Sequence, residues 1–239
     1  MTRLQSRTER PVEWSMRFEQ LQLEARDQRL RKFYAGGVVQ ADTPIVNVPM
    51  LAMDFETTGM QADSDQIVSI GIVAFSLARI MCRESAHWVL NPGRSLGSES
   101  VVIHGITHEE VAEAPTLDNV LERLLAAMTG RVVVVHYRHI ERDFLNRALW
   151  QRLEEGIDFP VIDTMALEKR ILLNRQSRWQ RWLDRPIPSL RLGDCRERYN
   201  LPHYQPHHAL TDALATAELL QAQVAWHFSG QTPVAELWS

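Results

Sequence analysis

Asp54 and Glu56 stand two positions apart at the end of an apolar run, in the segment Leu51-Ala52-Met53-Asp54-Phe55-Glu56-Thr57-Thr58-Gly59. Residues i and i+2 of a β-strand share a face, so this spacing projects both carboxylates together while Met53 and Phe55 face the other way. Like charges held side by side near an apolar core repel and are costly to desolvate, and a divalent cation is the commonest reason for such a pair. Taken alone, the pair also fits a strand end where two acids point into water. A second cluster is His207-His208-Ala209-Leu210-Thr211-Asp212-Ala213. Here an acid in the first turns of a helix can hold a metal, while an imidazole on the preceding loop, titrating near neutrality, takes a proton from an attacking water. The plainer reading is an acid that complements the positive end of a helix. A third cluster, His136-Tyr137-Arg138-His139-Ile140-Glu141-Arg142-Asp143-Phe144-Leu145, follows the run Val132 to Val135. The carboxyl end of a strand running into a helix is where open α/β sheets place their chemistry. Phe144 would anchor that helix in the core while Glu141, one turn earlier, leans toward the strand ends.

The elements that must position these groups are readable from patterning. Residues 49–56, 66–75 and 80–90 form three strand candidates with short connections, the last closed by the Asn91-Pro92-Gly93 turn, which suggests an antiparallel meander. Leu117, Val120, Leu121, Leu124, Leu125 and Met128 then recur at helical spacing, with Thr116 as N-cap and Gly130 just beyond the end. A short buried strand at 131–136, a helix through Leu149, a strand at Val161-Ile162 and a helix to about Leu173 follow. The segment from Ala209 to about His227 is rich in Ala, which lets a helix approach a sheet closely. Residues 1–46, rich in Arg, Glu and Gln with Trp14, Phe18 and Leu21 near helical spacing, read as a helical N-terminal extension. The expected organisation is this extension, a main domain over 47–230 and a tail over 231–239. The fold class is α/β, a mixed five-stranded sheet of three antiparallel strands followed by parallel ones, flanked by helices.

Composition narrows the partners. A chain of 239 residues that is 45% hydrophobic can bury one large core. A net charge of −4 makes the whole surface no electrostatic magnet for phosphates, so nucleic-acid binding would rest on local basic patches or on bound cations. Cys82 and Cys195 lie far apart without partners at metal spacing, which argues against a disulfide framework and a zinc site. The charged N-terminus and the absence of a long apolar run lead to the expectation of a cytoplasmic protein with no membrane association.

Order and context of the three clusters resemble the DEDD superfamily of 3'-5' exonucleases, in its histidine-containing subgroup, which includes the proofreading subunit of bacterial DNA polymerase III. The family's first motif, Asp-x-Glu-Thr-Thr-Gly, stands here as residues 54–59, and its third, His-x-Ala-Leu-x-Asp-Ala, as residues 207–213. A His-Gly-Ile-Thr element is present at 104–107, followed by Ala114-Pro115-Thr116. The middle motif departs from the family's His-Asn-x-x-Phe-Asp-x-x-Phe-Leu: Tyr137 stands at the Asn position and Glu141 at the Asp position. Glutamate keeps the charge with a longer reach. Asp143, the rival acid, lies roughly 200° around the helix from Glu141, toward the opposite face.

The resemblance covers about residues 48–228 and implies an RNase H-like fold and a metal-dependent exonuclease. Asp54, Glu56, Asp212 and Glu141 would hold two Mg²⁺ or Mn²⁺ ions, and His207 would be the general base that helps release nucleoside 5'-monophosphates from the 3' end of single-stranded or frayed DNA, or of RNA. By the same resemblance Phe55, Thr57, Thr58, His104, Ile106 and His136 are substrate-binding candidates, although Ile106 also suits a plain core position. The segment 174–185 interleaves arginines with Trp179 and Trp182. That mixture suits a single-strand contact, a protein partner or local packing, and the N-terminal extension is a second candidate for docking a partner or for self-association. The altered middle motif leaves open a rival reading, a weakly active or non-catalytic binding module.

Overall fold

The structure, a computed structural model, describes residues 12–93, 108–175 and 186–239. Its centre is a five-stranded sheet in the order β3-β2-β1-β4-β5. The strands are β1 (Met50–Thr57), β2 (Ile67–Phe75), β3 (Ala86–Val89), β4 (Val132–Val135) and β5 (Val161–Asp163). β1 pairs antiparallel with β2, and β2 with β3, whereas β4 is parallel to both β1 and β5. This is the mixed sheet expected from the meander followed by alternating strands and helices. The third strand is shorter than the 80–90 expectation. Ile80 makes only an isolated bridge to Phe75, and Cys82–Glu84 coil into a 3-10 turn before pairing resumes at Ala86.

Around the sheet lie α1 (Trp14–Glu24), α2 (Gln28–Ala35), α3 (His108–Glu113), α4 (Leu117–Met128), α5 (Glu141–Leu153), α6 (Thr164–Arg175), α7 (Leu192–Arg198) and α8 (Ala209–His227). Alternation along β1 sorts the core into two layers. Leu51, Met53 and Phe55 face a layer filled by α4 and α5 through Leu121, Leu124, Phe144 and Leu145. Met50 and Ala52 face α8 through Ala213, Ala217 and Leu220. α4 has the bounds its periodicity predicts, with Thr116 and Asn119 forming a capping box.

The N-terminal segment folds as two helices onto the first layer. Trp14 and Phe18 of α1 and Phe33 and Tyr34 of α2 share that core, with the Phe18 and Tyr34 ring centroids 5.2 Å apart at 89°. Polar contacts fix the seam: Arg17 reaches Asp158 at 3.3 Å, and the Tyr34 hydroxyl accepts the Asp158 amide at 3.1 Å. At the other end of the chain Trp238 bridges Ile162, and the Ser239 amide donates to the Val161 carbonyl at 2.9 Å, so the last residues cover the open edge of β5.

Candidate active site

β1 carries Asp54 and Glu56 on the face that its earlier residues Met50 and Ala52 turn toward α8. Pairing with β2 sets Asp54 opposite Gly71 and Glu56 opposite Ser69, and the register slips immediately afterward, between Glu56 and Thr57. Gly71 is what lets α8 come close. A Cβ at that position would stand 2.2 Å from the carbonyl carbon of Ala209 and 2.3 Å from the Leu210 nitrogen, so only glycine admits the first turn of the helix. Asp212, one turn into α8, thereby reaches the sheet. One carboxylate oxygen from each of Asp54, Glu56 and Asp212 lies within 4.8 Å of the other two.

The approach to α8 is equally constrained. His207 adopts φ +69°, and its backbone N–H donates to Asp212 Oδ2 at 2.9 Å. His208 caps the helix, its Nδ1 accepting the Thr211 amide at 3.4 Å. His207 and Asp212 line a cavity of about 650 Å³ together with Arg191, His203 and Tyr204.

Glu141, the first residue of α5, is 1% exposed. Burial pushes its carboxyl well above the ordinary range, with Asp163 and Glu56 adding to the shift, against the pull of the Glu141 and Phe55 backbone N–H groups. Its Oε2 finds no hydrogen-bond partner among the described residues. Asp54 is likewise pushed up, first by burial and then by the negative charges of Glu141, Asp212 and Glu56. Asp212 is raised by burial and by Glu56, opposed by the His207 amide. These groups are mutually repelling carboxylates with an orphaned oxygen among them. A hard divalent cation, which takes oxygen ligands, fits that donor set and would remove the repulsion.

The remaining sequence candidates are placed differently. The Phe55 ring lies in the core, 5% exposed, on the strand face opposite the acids. His136 has both ring nitrogens engaged, Nδ1 with Thr164 Oγ1 and Nε2 with the Leu190 carbonyl, each at 2.8 Å. Thr57 Oγ1 donates to the Gly59 carbonyl at 2.6 Å, and Thr58 Oγ1 accepts the Gln66 amide at 3.0 Å, so both hydroxyls brace the turn after β1. His104 and Ile106 lie outside the described residues, as does 176–185 of the Arg/Trp segment. Asp143 is exposed on α5, 3.1 Å from His139 Nδ1, and is not among the acids whose oxygens converge.

Sequence reasoning passed over Asp163, at the end of β5. Its carboxylate accepts the amides of Tyr137 and Arg138 at 3.1 and 3.2 Å, and Oδ1 also takes those of Met165 and Ala166 at 3.0 and 3.2 Å. It thus ties the loop before Glu141 to the start of α6. An Asp directly before a helical run is an N-cap signal that would have drawn notice to it. Ser69, His87 and His208 were also missed. Ser69 Oγ lies 2.7 Å from His87 Nε2, and the His87 ring lies 4.6 Å from that of His208, tilted by 34°, within electrostatic reach of Glu56.

A mixed sheet with acids gathered at the carboxyl end of its central strand is the arrangement that the resemblance to the DEDD exonucleases implies. Residues 51–220 match the family model described as exonuclease, and the chain belongs to that family. It is 31% identical over 180 residues to a DNA polymerase III of PolC type from Thermotoga petrophila, covering 74% of this chain and only 12% of that relative. It is 26% identical over 183 residues to the DNA polymerase III subunit epsilon of Treponema pallidum, covering 76% of this chain and 79% of the relative. Among solved structures, Exonuclease X in complex with 5'-overhanging duplex DNA superposes with a TM-score of 0.58 at 21% identity, over 79% of this chain and 98% of that one. The nuclease domain of 3'hExo, a DEDDh family member bound to rAMP, gives 0.59 at 15%, over 74% and 92%. These two likenesses establish the shared fold.

Proposed function

We propose that the protein is a divalent-cation-dependent 3'-5' exonuclease that shortens single-stranded or frayed DNA from its 3' end and releases nucleoside 5'-monophosphates. The observation that carries this reading is the convergence of Asp54, Glu56 and Asp212 within 4.8 Å, with the unpartnered Glu141 oxygen behind them. These four acids would hold two Mg²⁺ or Mn²⁺ ions. When bound, the ions supply electrostatic stabilisation for an in-line phosphodiester displacement. His207, on the loop at the rim of the cluster, accepts the proton of the attacking water at an imidazole nitrogen. Thr57 and Thr58 shape the turn against which the terminal nucleotide rests, and His136 acts by holding the loop that leads to Glu141.

The names of the polymerase III relatives favour DNA over RNA as substrate. Residues 47–230 would carry the reaction, with 1–46 as an extension that could dock a protein partner or a second copy and 231–239 as a tail. Free Cys82 and Cys195 suit a reducing, cytoplasmic setting. Among the described residues no helix is long and apolar enough to cross a membrane.

The test is a panel of 5'-labelled and 3'-labelled substrates: single-stranded DNA, paired and mismatched duplex, and RNA. A 3'-5' enzyme gives a descending ladder from the 5' label and mononucleotide from the 3' label. Mononucleotide released from a 5' label, or internal cuts, would contradict the assigned polarity.

A further inference from the structure

We propose that the ring of Tyr137 is a stacking platform for the base of the 3'-terminal nucleotide, an inference that rests on the exonuclease reading above. Tyr137 follows β4, the parallel neighbour of β1, so it emerges at the same carboxyl edge of the sheet as Asp54 and Glu56. Four residues later the chain delivers Glu141 to the acid cluster. The residue is 37% exposed, its ring beside that of His139 at 5.3 Å between centroids and 59° between planes.

Its backbone is held where an L-residue seldom goes. Tyr137 has φ +86°, a conformation that costs a residue with a Cβ and persists only where the surroundings enforce it. They do so here from both sides. Asp163 accepts the amides of Tyr137 and Arg138, and the Tyr137 carbonyl accepts the Ile140 amide at 3.1 Å. A surface position that had only to turn the chain would relieve this strain with glycine or asparagine. Instead a buried carboxylate holds the backbone that carries an exposed aromatic residue at the carboxyl edge of the sheet, four residues before Glu141. An aromatic face offers an unstacked base sequence-tolerant binding, which suits an enzyme that must accept each terminal base in turn.

The experiment compares wild type with Tyr137→Ala, Tyr137→Phe and Tyr137→Gly on single-stranded DNA ending in a normal nucleotide or in an abasic unit. Glycine tolerates the positive φ, so the third variant removes the ring without adding strain. Loss of stacking predicts that KM for the normal strand rises about 5- to 150-fold in the Ala and Gly variants with kcat little changed, and that Phe stays within about twofold of wild type. On the abasic strand the variants and wild type should converge. An unchanged KM in both Ala and Gly variants, or an equal loss on both strands, overturns the proposal. If wild type shortens no strand with either cation, the exonuclease reading fails by itself. Stacking is then read separately, as fluorescence quenching of a 3'-terminal 2-aminopurine by wild type that Tyr137→Gly lacks; equal quenching by both overturns the proposal.

Discussion

Gly71 is the position where packing and chemistry depend on the same ångström. Across from Asp54, it gives α8 the room to bring Asp212 to the cluster. In Gly71→Ala the new methyl would meet the Ala209 carbonyl carbon and oxygen and the Leu210 nitrogen at 2.2 to 2.3 Å, whereas ordinary contact begins near 3.4 Å. The difference is roughly 1 Å, and it must come from backbone, because no flexible side-chain end is in the way. Overpacking of this kind costs about 1–3 kcal/mol, or a fall in Tm of about 2–12 °C for a chain of this size. A shift of about 1 Å between Asp212 and the β1 acids should lower kcat/KM about 100-fold or more. Thermal melting in EDTA reads the first effect and digestion of a 5'-labelled strand in Mg²⁺ reads the second. Ala209→Gly should not rescue either loss, since the clash is with main-chain atoms. A Gly71→Ala protein with wild-type Tm and wild-type turnover would refute the claim that close approach of α8 builds the site.

Asp54→Asn removes one charge from a self-repelling cluster, so it should abolish hydrolysis while raising the Tm of metal-free protein, a gain of about 0.5–2 kcal/mol; a lower Tm would contradict the electrostatic reading. The pH dependence follows from the same shifts. Asp54, Glu141 and Asp212 all titrate above their ordinary values in the folded protein, so the folded state holds their protons more tightly than the unfolded chain. Their cost is therefore absent below the ordinary carboxylate range and grows as pH rises through about 4 toward neutrality. Melting in EDTA should show wild type losing stability relative to Asp54→Asn over that rise, with Mg²⁺ closing the gap at neutral pH; parallel curves would count against it. Asp163→Ala leaves the amides of Tyr137, Arg138, Met165 and Ala166 without their acceptor and should cost about 2–4 kcal/mol by denaturant melting, a loss under 1 kcal/mol being the contrary result.

Much of the fold was legible because its signals are local. The period-two run of β1, the heptad-like stripe of α4 and the Ala-rich α8 each carry their own geometry, and their order implies the mixed sheet. β3 was overextended because Ile80 and Met81 look strand-like, while only the pairing with β2 decides where the strand begins. The helix of 192–198 went unread because its seven residues carry too short a pattern. The N-terminal segment announced helices but not their docking, which depends on partners such as Asp158, more than a hundred residues away. In the site, the two β1 acids were visible from spacing, and Asp212 with His207 from their motif. The inward turn of His136 and the brace supplied by Asp163 depend on hydrogen bonds across 25 or more residues, which no local pattern encodes.

The central claim is that the gathered acids work through a divalent cation to cleave from the 3' end. It is tested most directly by following a 5'-labelled single strand with Mg²⁺, Mn²⁺ or EDTA, using wild type beside Asp54→Asn, Asp212→Asn and His207→Ala proteins whose melting curves show them folded. The account predicts a stepwise ladder with wild type in either cation, none in EDTA, none with the two Asn variants and a rate about 10² to 10⁴ lower with His207→Ala. Degradation that persists in EDTA, or that the Asp54→Asn protein matches, would contradict it.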